Sequence, residues 1–230
     1  MRYETGMYGG SFDPLHVGHL QCIVQAASMC RELYVVLSYA RNRDFVPMEI
    51  RYRWIYNSFL HMPNVHIILL EDSYPSKEAY DADDSAWERG RDIILQRIGK
   101  PVDVVFCGSD YRGTERYEKL YGCRVEYFDR GASPVSASVI RSDPFKYWEY
   151  IPVICRPYFV KKVLLIGSES TGKSTLAQNL ALTYNTNYLE EIGREVCDRA
   201  GGDENLMIEE DFQEILLRHK VKELELRRQL

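Results

Sequence analysis

The sequence predicts an α/β protein: a Rossmann-like, doubly wound parallel sheet over residues 1–158, then a second strand–loop–helix unit over 159–230. Three observations carry this. Short apolar runs alternate with stretches of helical period from Thr5 to Phe128, the order that builds parallel strands with crossover helices. A glycine-rich turn, Gly9-Gly10-Ser11-Phe12-Asp13-Pro14-Leu15-His16-Val17-Gly18-His19-Leu20, separates the first apolar run from the first helical one. A second glycine-rich loop, Gly167 to Thr175, stands in the same kind of place near the other end.

Thr5 to Tyr8 is the first strand, and Leu20 to Leu33 has helical spacing at Leu20, Ile23, Val24, Ala27 and Met29. Leu33 to Ser38 is the second strand. It leads through Arg41-Asn42-Arg43-Asp44 to a helix from about Met48 to His61, whose Arg51 and Trp54 share a face. The third strand, Val65 to Leu70, ends in Glu71-Asp72-Ser73, and a polar, acidic loop follows. Ser85 to Ile98 is a helix carrying Trp87. Val102 to Phe106 is the fourth strand, ending at Cys107-Gly108-Ser109-Asp110, and Arg124 to Phe128 the fifth, ending at Asp129-Arg130. Open parallel sheets bind ligands beyond the carboxyl ends of their strands. Gly108, Ser109, Asp110 and Asp129 are therefore candidate ligand contacts, or simply strand ends.

Composition narrows the classes. Charged residues make up 27% and hydrophobic ones 45%, an ordinary soluble globular balance. A formal charge of −5 with no long basic block argues against a general nucleic-acid binder. The short basic clusters, Arg41 to Arg43 and Arg51 with Arg53, suit small phosphorylated ligands. Six cysteines without CxxC spacing read as reduced, mostly packed thiols of a cytoplasmic protein. No apolar run has membrane-spanning length, and no membrane partner is expected.

The first turn carries the chemistry. Glycines let backbone approach a phosphate, and the opening helix offers unpaired N–H groups. His16 and His19, three residues apart, can face one side and stabilise charge building on a triphosphate. An isolated HxxH would more often be two surface histidines. The whole dodecamer, however, resembles the HxGH signature of the nucleotidyltransferase superfamily. Gly9, Gly10, Ser11, Phe12, Asp13 and Gly18 then become nucleotide-binding positions. Pro134-Val135-Ser136-Ala137-Ser138-Val139-Ile140-Arg141 resembles the superfamily's second signature, ISxTxxR, with Val135 for Ile and Ser138 for Thr. Ser136 is a natural helix N-cap. Ser138 and Arg141 lie one turn apart and can converge on phosphate oxygens. The aromatic, proline-bearing stretch from Ser142 to Lys162 reads as a packed connector.

Val163 to Ile166 reads as a strand, and Gly167-Ser168-Glu169-Ser170-Thr171-Gly172-Lys173-Ser174 fits GxxxxGK[ST], with Thr175 next and a helical pattern from Leu176 to Tyr184. This is a P-loop. Its backbone N–H groups would wrap phosphates, Lys173 would reach the terminal ones, and Ser174 would hold Mg²⁺.

Both nucleotide motifs, with Arg51-Tyr52-Arg53-Trp54, the segment Asp143 to Trp148 and Glu191-Ile192-Gly193-Arg194-Glu195, make the chain similar to NadR-type bifunctional proteins. That family joins a nicotinamide-mononucleotide (NMN) adenylyltransferase to a ribosylnicotinamide kinase. The resemblance implies NAD biosynthesis from ATP and NMN, with His16, His19, Ser138 and Arg141 catalytic and Ser136 nearby. Arg51, Trp54 and Trp87 become candidates for NMN, Trp87 by stacking or as core. Glu191 and Arg194 become kinase-site candidates, or a solvated helix face. The catalytic signature begins within ten residues of Met1, so the family's DNA-binding helix-turn-helix has no counterpart and no repressor role is implied. About 70 residues are few for a P-loop kinase, and no apolar strand ending in Asp follows the loop. An incomplete or vestigial kinase unit is therefore expected, its activity left open. Ribosylnicotinamide binding and a homo-oligomer are also left open. The rivals are another transferase of the superfamily, acting on nicotinate mononucleotide, phosphopantetheine or a phospho-alcohol, and a non-catalytic nucleotide sensor.

Overall fold

The computed structural model describes residues 2–129, 135–168 and 170–229. It divides into two compact units, Met1–Pro152 and Val153–Leu230. In the first, five parallel strands stand in the order β3-β2-β1-β4-β5: β1 Tyr3–Gly10, β2 Cys30–Tyr39, β3 Val65–Glu71, β4 Val104–Gly108 and β5 Arg124–Phe128. The chain winds from β1 through β2 to β3, then crosses back to β4 on the other side of β1. The gap between β1 and β4 is thus the topological switch point, where such sheets hold ligands. The central strands read as continuous apolar runs because both their faces are covered: Thr5, Met7 and Tyr8, Val35 to Leu37 and Val104 to Phe106 are all buried. Five helices fill the crossovers: α1 Val17–Met29, α2 Met48–Ser58, α3 Lys77–Asp81, α4 Asp84–Ile98 and α5 Arg116–Tyr121.

Several boundaries differ from the sequence expectation, each for a tertiary reason. Helix α1 stops at Met29, short of Leu33, because β2 already pairs with β1 from Cys30, opposite Tyr3. Helix α2 stops at Ser58, where the Phe59 N–H closes the turn on the Ile55 and Tyr56 carbonyls. β4 begins at Val104 because the Asp103 carboxylate accepts the Glu4 and Thr5 N–H groups at 3.1 and 2.9 Å and sits at the start of β1. The acidic loop after β3 contains α3, capped by Ser76, whose hydroxyl accepts the Ala79 N–H at 3.1 Å.

Helix α6, Ala137–Ser142, and a 3-10 turn at Trp148–Tyr150 complete the first unit. In the connector Phe145 stacks on Trp148 at 5.9 Å yet stays half exposed, while Ile151 is buried. All six cysteines are free, and burial pushes the Cys30 thiol up to about 11, which keeps it protonated and inert. No helix among the described residues is long and apolar enough to cross a membrane.

The second unit holds α7 Arg156–Phe159, α8 Lys173–Tyr184, α9 Ile192–Arg199 and α10 Glu209–Arg228. Arg199 to Glu214 and Arg218 to Glu195, at 2.5 and 2.7 Å, tie α9 to α10. The predicted strand Val163 to Ile166 is not one in the structure. It forms no ladder among the described residues, and Val163, Leu164 and Ile166 are 79, 78 and 84% exposed. A strand needs a partner strand to satisfy its backbone, and an apolar run alone does not supply one.

The core of the sheet is tight at β1. A methyl group on Gly6 would collide with Cys30 Sγ and lie 2.9 Å from the Phe106 ring. Gly6→Ala is expected to cost about 1–3 kcal/mol by overpacking. The check is a lower urea midpoint with an unchanged denaturant slope.

Candidate active site at the switch point

The site grows from the end of β1. After Gly10 the chain turns through Ser11 and Phe12, the latter in a left-handed conformation at φ 49° with its ring completely buried. The ring passes under Gly10, where an added Cβ would meet it at 3.1 Å and press on it. His16 caps α1 with an extended backbone, and its carbonyl accepts the His19 and Leu20 N–H groups at 2.9 and 3.2 Å. That fixes one helical turn between the two imidazoles, and the rings stack at 3.7 Å and 29°. The Phe12 ring meets His19 edge-on at 5.0 Å. His16 is buried and His19 half-buried, so the pair is anchored from below. Gly18 is buried in the same turn.

The second signature folds back onto this turn. Arg141, on α6, donates from Nη1 to the Asp13 carbonyl, a contact joining residues 128 apart in sequence. Ser136 caps α6 by accepting the Val139 N–H at 3.4 Å, and its hydroxyl lies 2.9 Å from that of Ser138. Ser138 and Arg141 are exposed residues. Pro134, and Arg130 after β5, lie outside the described residues. Gly108 closes β4 as a buried residue, Ser109 and Asp110 begin a 3-10 turn, and Asp129 follows β5 and is exposed. These are the carboxyl ends flanking the switch point.

Four of the expected ligand contacts are engaged within the chain itself. The Asp13 carboxylate accepts the Phe45 and Val46 N–H groups at 2.9 and 2.8 Å and so holds the loop after β2. Arg51 is 0% exposed, with its guanidinium on the Ser11 carbonyl at 2.5 Å and on the Asp44 carboxylate. Its guanidinium is thus engaged by the chain's own groups in this structure. Trp54 is 5% exposed and packs in the core. The basic clusters are largely neutralised internally: Arg41 pairs with Glu49 and Glu71 at 3.6 and 3.4 Å, and Arg43 with Asp72. Asp44 is the residue that sequence reasoning missed. The signal was its place directly after Arg43 and seven residues before Arg51, the partner it neutralises.

Trp87 sits half-buried among Tyr80 and Tyr117, at 5.3 and 5.9 Å, with the Arg116 guanidinium over its ring at 4.9 Å. Burial raises the Tyr80 phenol to about 12 and Tyr117 well above its ordinary value, so this box carries no phenolate at neutral pH. Beside it a cavity of about 300 Å³ is lined by Asp81, Tyr111, Thr114 and Arg116. An aromatic ring stacking on that face of Trp87 has to displace Arg116.

In the second unit the P-loop closes on itself. Thr171 Oγ1 and Lys173 Nζ both donate to the Ser168 carbonyl, at 2.8 and 2.6 Å. Gly172, at φ 81°, caps α8, whose first residues are Lys173, Ser174 and Thr175. Gly167 and Ser170 complete the described loop, and Glu169 lies outside it. Glu191 and Arg194 pair with each other at 3.9 Å in solvent. No group of three or more His, Cys, Asp or Glu among the described residues could hold a metal.

A glycine turn, two stacked imidazoles and an arginine returning at the switch point define an α/β nucleotidyltransferase-class domain, here followed by a P-loop. The chain belongs to the cytidylyltransferase-like family, whose model matches residues 7–150; an AAA domain model matches residues 162–230. The trifunctional NAD biosynthesis/regulator protein NadR of Escherichia coli K12 is 32% identical over 93% of this chain and 55% of its own length. The Salmonella typhimurium protein of that name is also 32% identical, over 94% and 55%. The chain thus spans about half the length of these curated relatives. A phosphopantetheine adenylyltransferase of Streptococcus pneumoniae is 33% identical over 53% of this chain and 79% of its own. The crystal structure of a NadR protein in complex with NR has a TM-score of 0.81 at 25% identity, covering 99% of this chain and 64% of that one. A NadR protein in complex with NAD and AMP-PNP has a TM-score of 0.80 at 24% identity, over 98% and 66%, and supports the fold.

Proposed function

We propose that the first unit is an NMN adenylyltransferase, joining NMN to ATP to give NAD and pyrophosphate. The observation that carries the reading is the Arg141 contact to the Asp13 carbonyl, which sets the second signature against the histidine turn. The NMN phosphate oxygen attacks the α-phosphorus; the new P–O bond forms as the bond to the β-phosphate oxygen breaks, and pyrophosphate leaves. Phosphate is nucleophilic enough that no protein base is needed, so positioning and charge stabilisation carry the rate. His16 and His19 hold the α- and β-phosphates. Ser138 and Arg141 hold the departing pyrophosphate.

Mg²⁺ brought in with ATP would supply neutralisation of the triphosphate's charge. The Ser174 hydroxyl, at the start of α8, would hold such an ion at the P-loop. In the second unit a nucleotide phosphate would replace the Ser168 carbonyl as the partner of Lys173. That unit is proposed to bind ATP beside ribosylnicotinamide in a kinase-like role, with Glu191 and Arg194 as its candidate polar groups. Six free thiols suit a reducing compartment.

The test is NAD and pyrophosphate formation by the full chain with ATP, Mg²⁺ and NMN. Nicotinate mononucleotide and phosphopantetheine serve as competitors. NAD from NMN at the highest kcat/KM is the expected result; turnover of phosphopantetheine alone would overturn it. Calorimetry is expected to show two ATP sites per chain, and one in Lys173→Ala.

A further inference from the structure

The histidine turn is tied to the loop between β2 and α2 in both directions. The turn's Asp13 carboxylate accepts the Phe45 and Val46 N–H groups. In return Arg51, fully buried on α2, donates to the turn's Ser11 carbonyl at 2.5 Å and lies 3.5 Å from the Ser38 carbonyl. Its charge is met by Asp44, whose carboxylate also accepts the Ala40 N–H at 2.6 Å. Next to it, Arg43 pairs with the buried Asp72 at the end of β3. A buried guanidinium needs such a counter-charge, since an unpaired one is severely penalised.

We propose that Asp44 and Arg51 are a positioning pair that sets the Ser11–Phe12 peptide for catalysis. A trans peptide points its C=O and N–H in opposite directions. Holding the Ser11 carbonyl toward buried Arg51 therefore also fixes the direction of the Phe12 N–H, in a residue that is itself fully buried. Ser11 is exposed at the carboxyl end of β1, where such sheets hold ligands, so the pair sets from within the backbone of the turn that carries the two histidines. Asp44 acts through Arg51, and Arg51 through the backbone; neither touches the substrate. The inference rests on the adenylyltransferase reading.

The experiment compares Asp44→Asn and the charge-free double variant Asp44→Asn/Arg51→Gln with the unaltered full chain. The readouts are thermal midpoint, kcat and the KM for NMN. Asp44→Asn is expected to lower kcat about ten- to hundredfold, with the KM for NMN held within about twofold, as misplacement of a catalytic turn does. Asp44→Glu is expected to recover most of that loss. Unchanged kcat in a folded variant would overturn the proposal. So would a raised KM for NMN at full kcat, which would mark Arg51 as a ligand contact. If Asp44→Asn does not fold, the double variant, which leaves no unpaired buried charge, decides by the same criteria.

Absence of NAD formation by the unaltered chain would instead defeat the functional reading. The pair is then read by AMP-PNP calorimetry in a Lys173→Ala background, which leaves the first unit's site alone. Weaker binding in Asp44→Asn would support the pair, and unchanged binding would overturn it.

Discussion

His19→Ala is expected to lower kcat for NAD formation by about 10²–10³-fold, the loss seen when one donor to a developing charge is removed. His19 lies in the first turn of α1, half-buried, with its ring stacked on that of His16. Its backbone position is fixed by the His16 carbonyl, which an alanine retains. The fold should therefore survive, with an unchanged thermal midpoint and far-UV spectrum. His16 is a poorer choice for this test, because it is buried and caps the helix. If His19 acts only in the transition state, kcat and kcat/KM fall together. An unchanged kcat in a folded variant would remove His19 from the mechanism.

Arg141→Ala should have a comparable effect, separable from the first by a lysine control. The arginine is exposed on α6 while its Nη1 reaches the Asp13 carbonyl, so one group both ties the signatures together and faces solvent. Removing it loses a fork that can bind two phosphate oxygens at once, and an expected 10²–10³-fold of kcat. Arg141→Lys keeps the charge but not the planar, bidentate geometry, so activity between wild type and alanine is expected. Wild-type activity in the lysine variant would mean that charge alone suffices. Wild-type activity in the alanine variant would break the link between the two signatures.

Much of this was legible before any coordinates. The alternation of apolar and helical stretches determined a parallel α/β sheet, because crossover helices and strands buried on both faces leave that pattern in the residues. The histidine turn, Ser136 as a cap and the P-loop were equally legible, since each is a local arrangement of backbone and short spacing. What only the tertiary structure decided are the partners of charges and the fate of apolar runs. Arg51 and Asp13 looked like ligand contacts from their neighbours, yet in the structure both bind backbone groups of the chain itself that lie some thirty to forty residues away. Trp87 acquires Arg116 over its ring through folding alone. Val163 to Ile166 has the composition of a strand without the ladder, because pairing is a property of the neighbouring strand. Sequence spacing reports which residues share a turn or a face; which groups a guanidinium or an unpaired backbone finally meets is settled by packing.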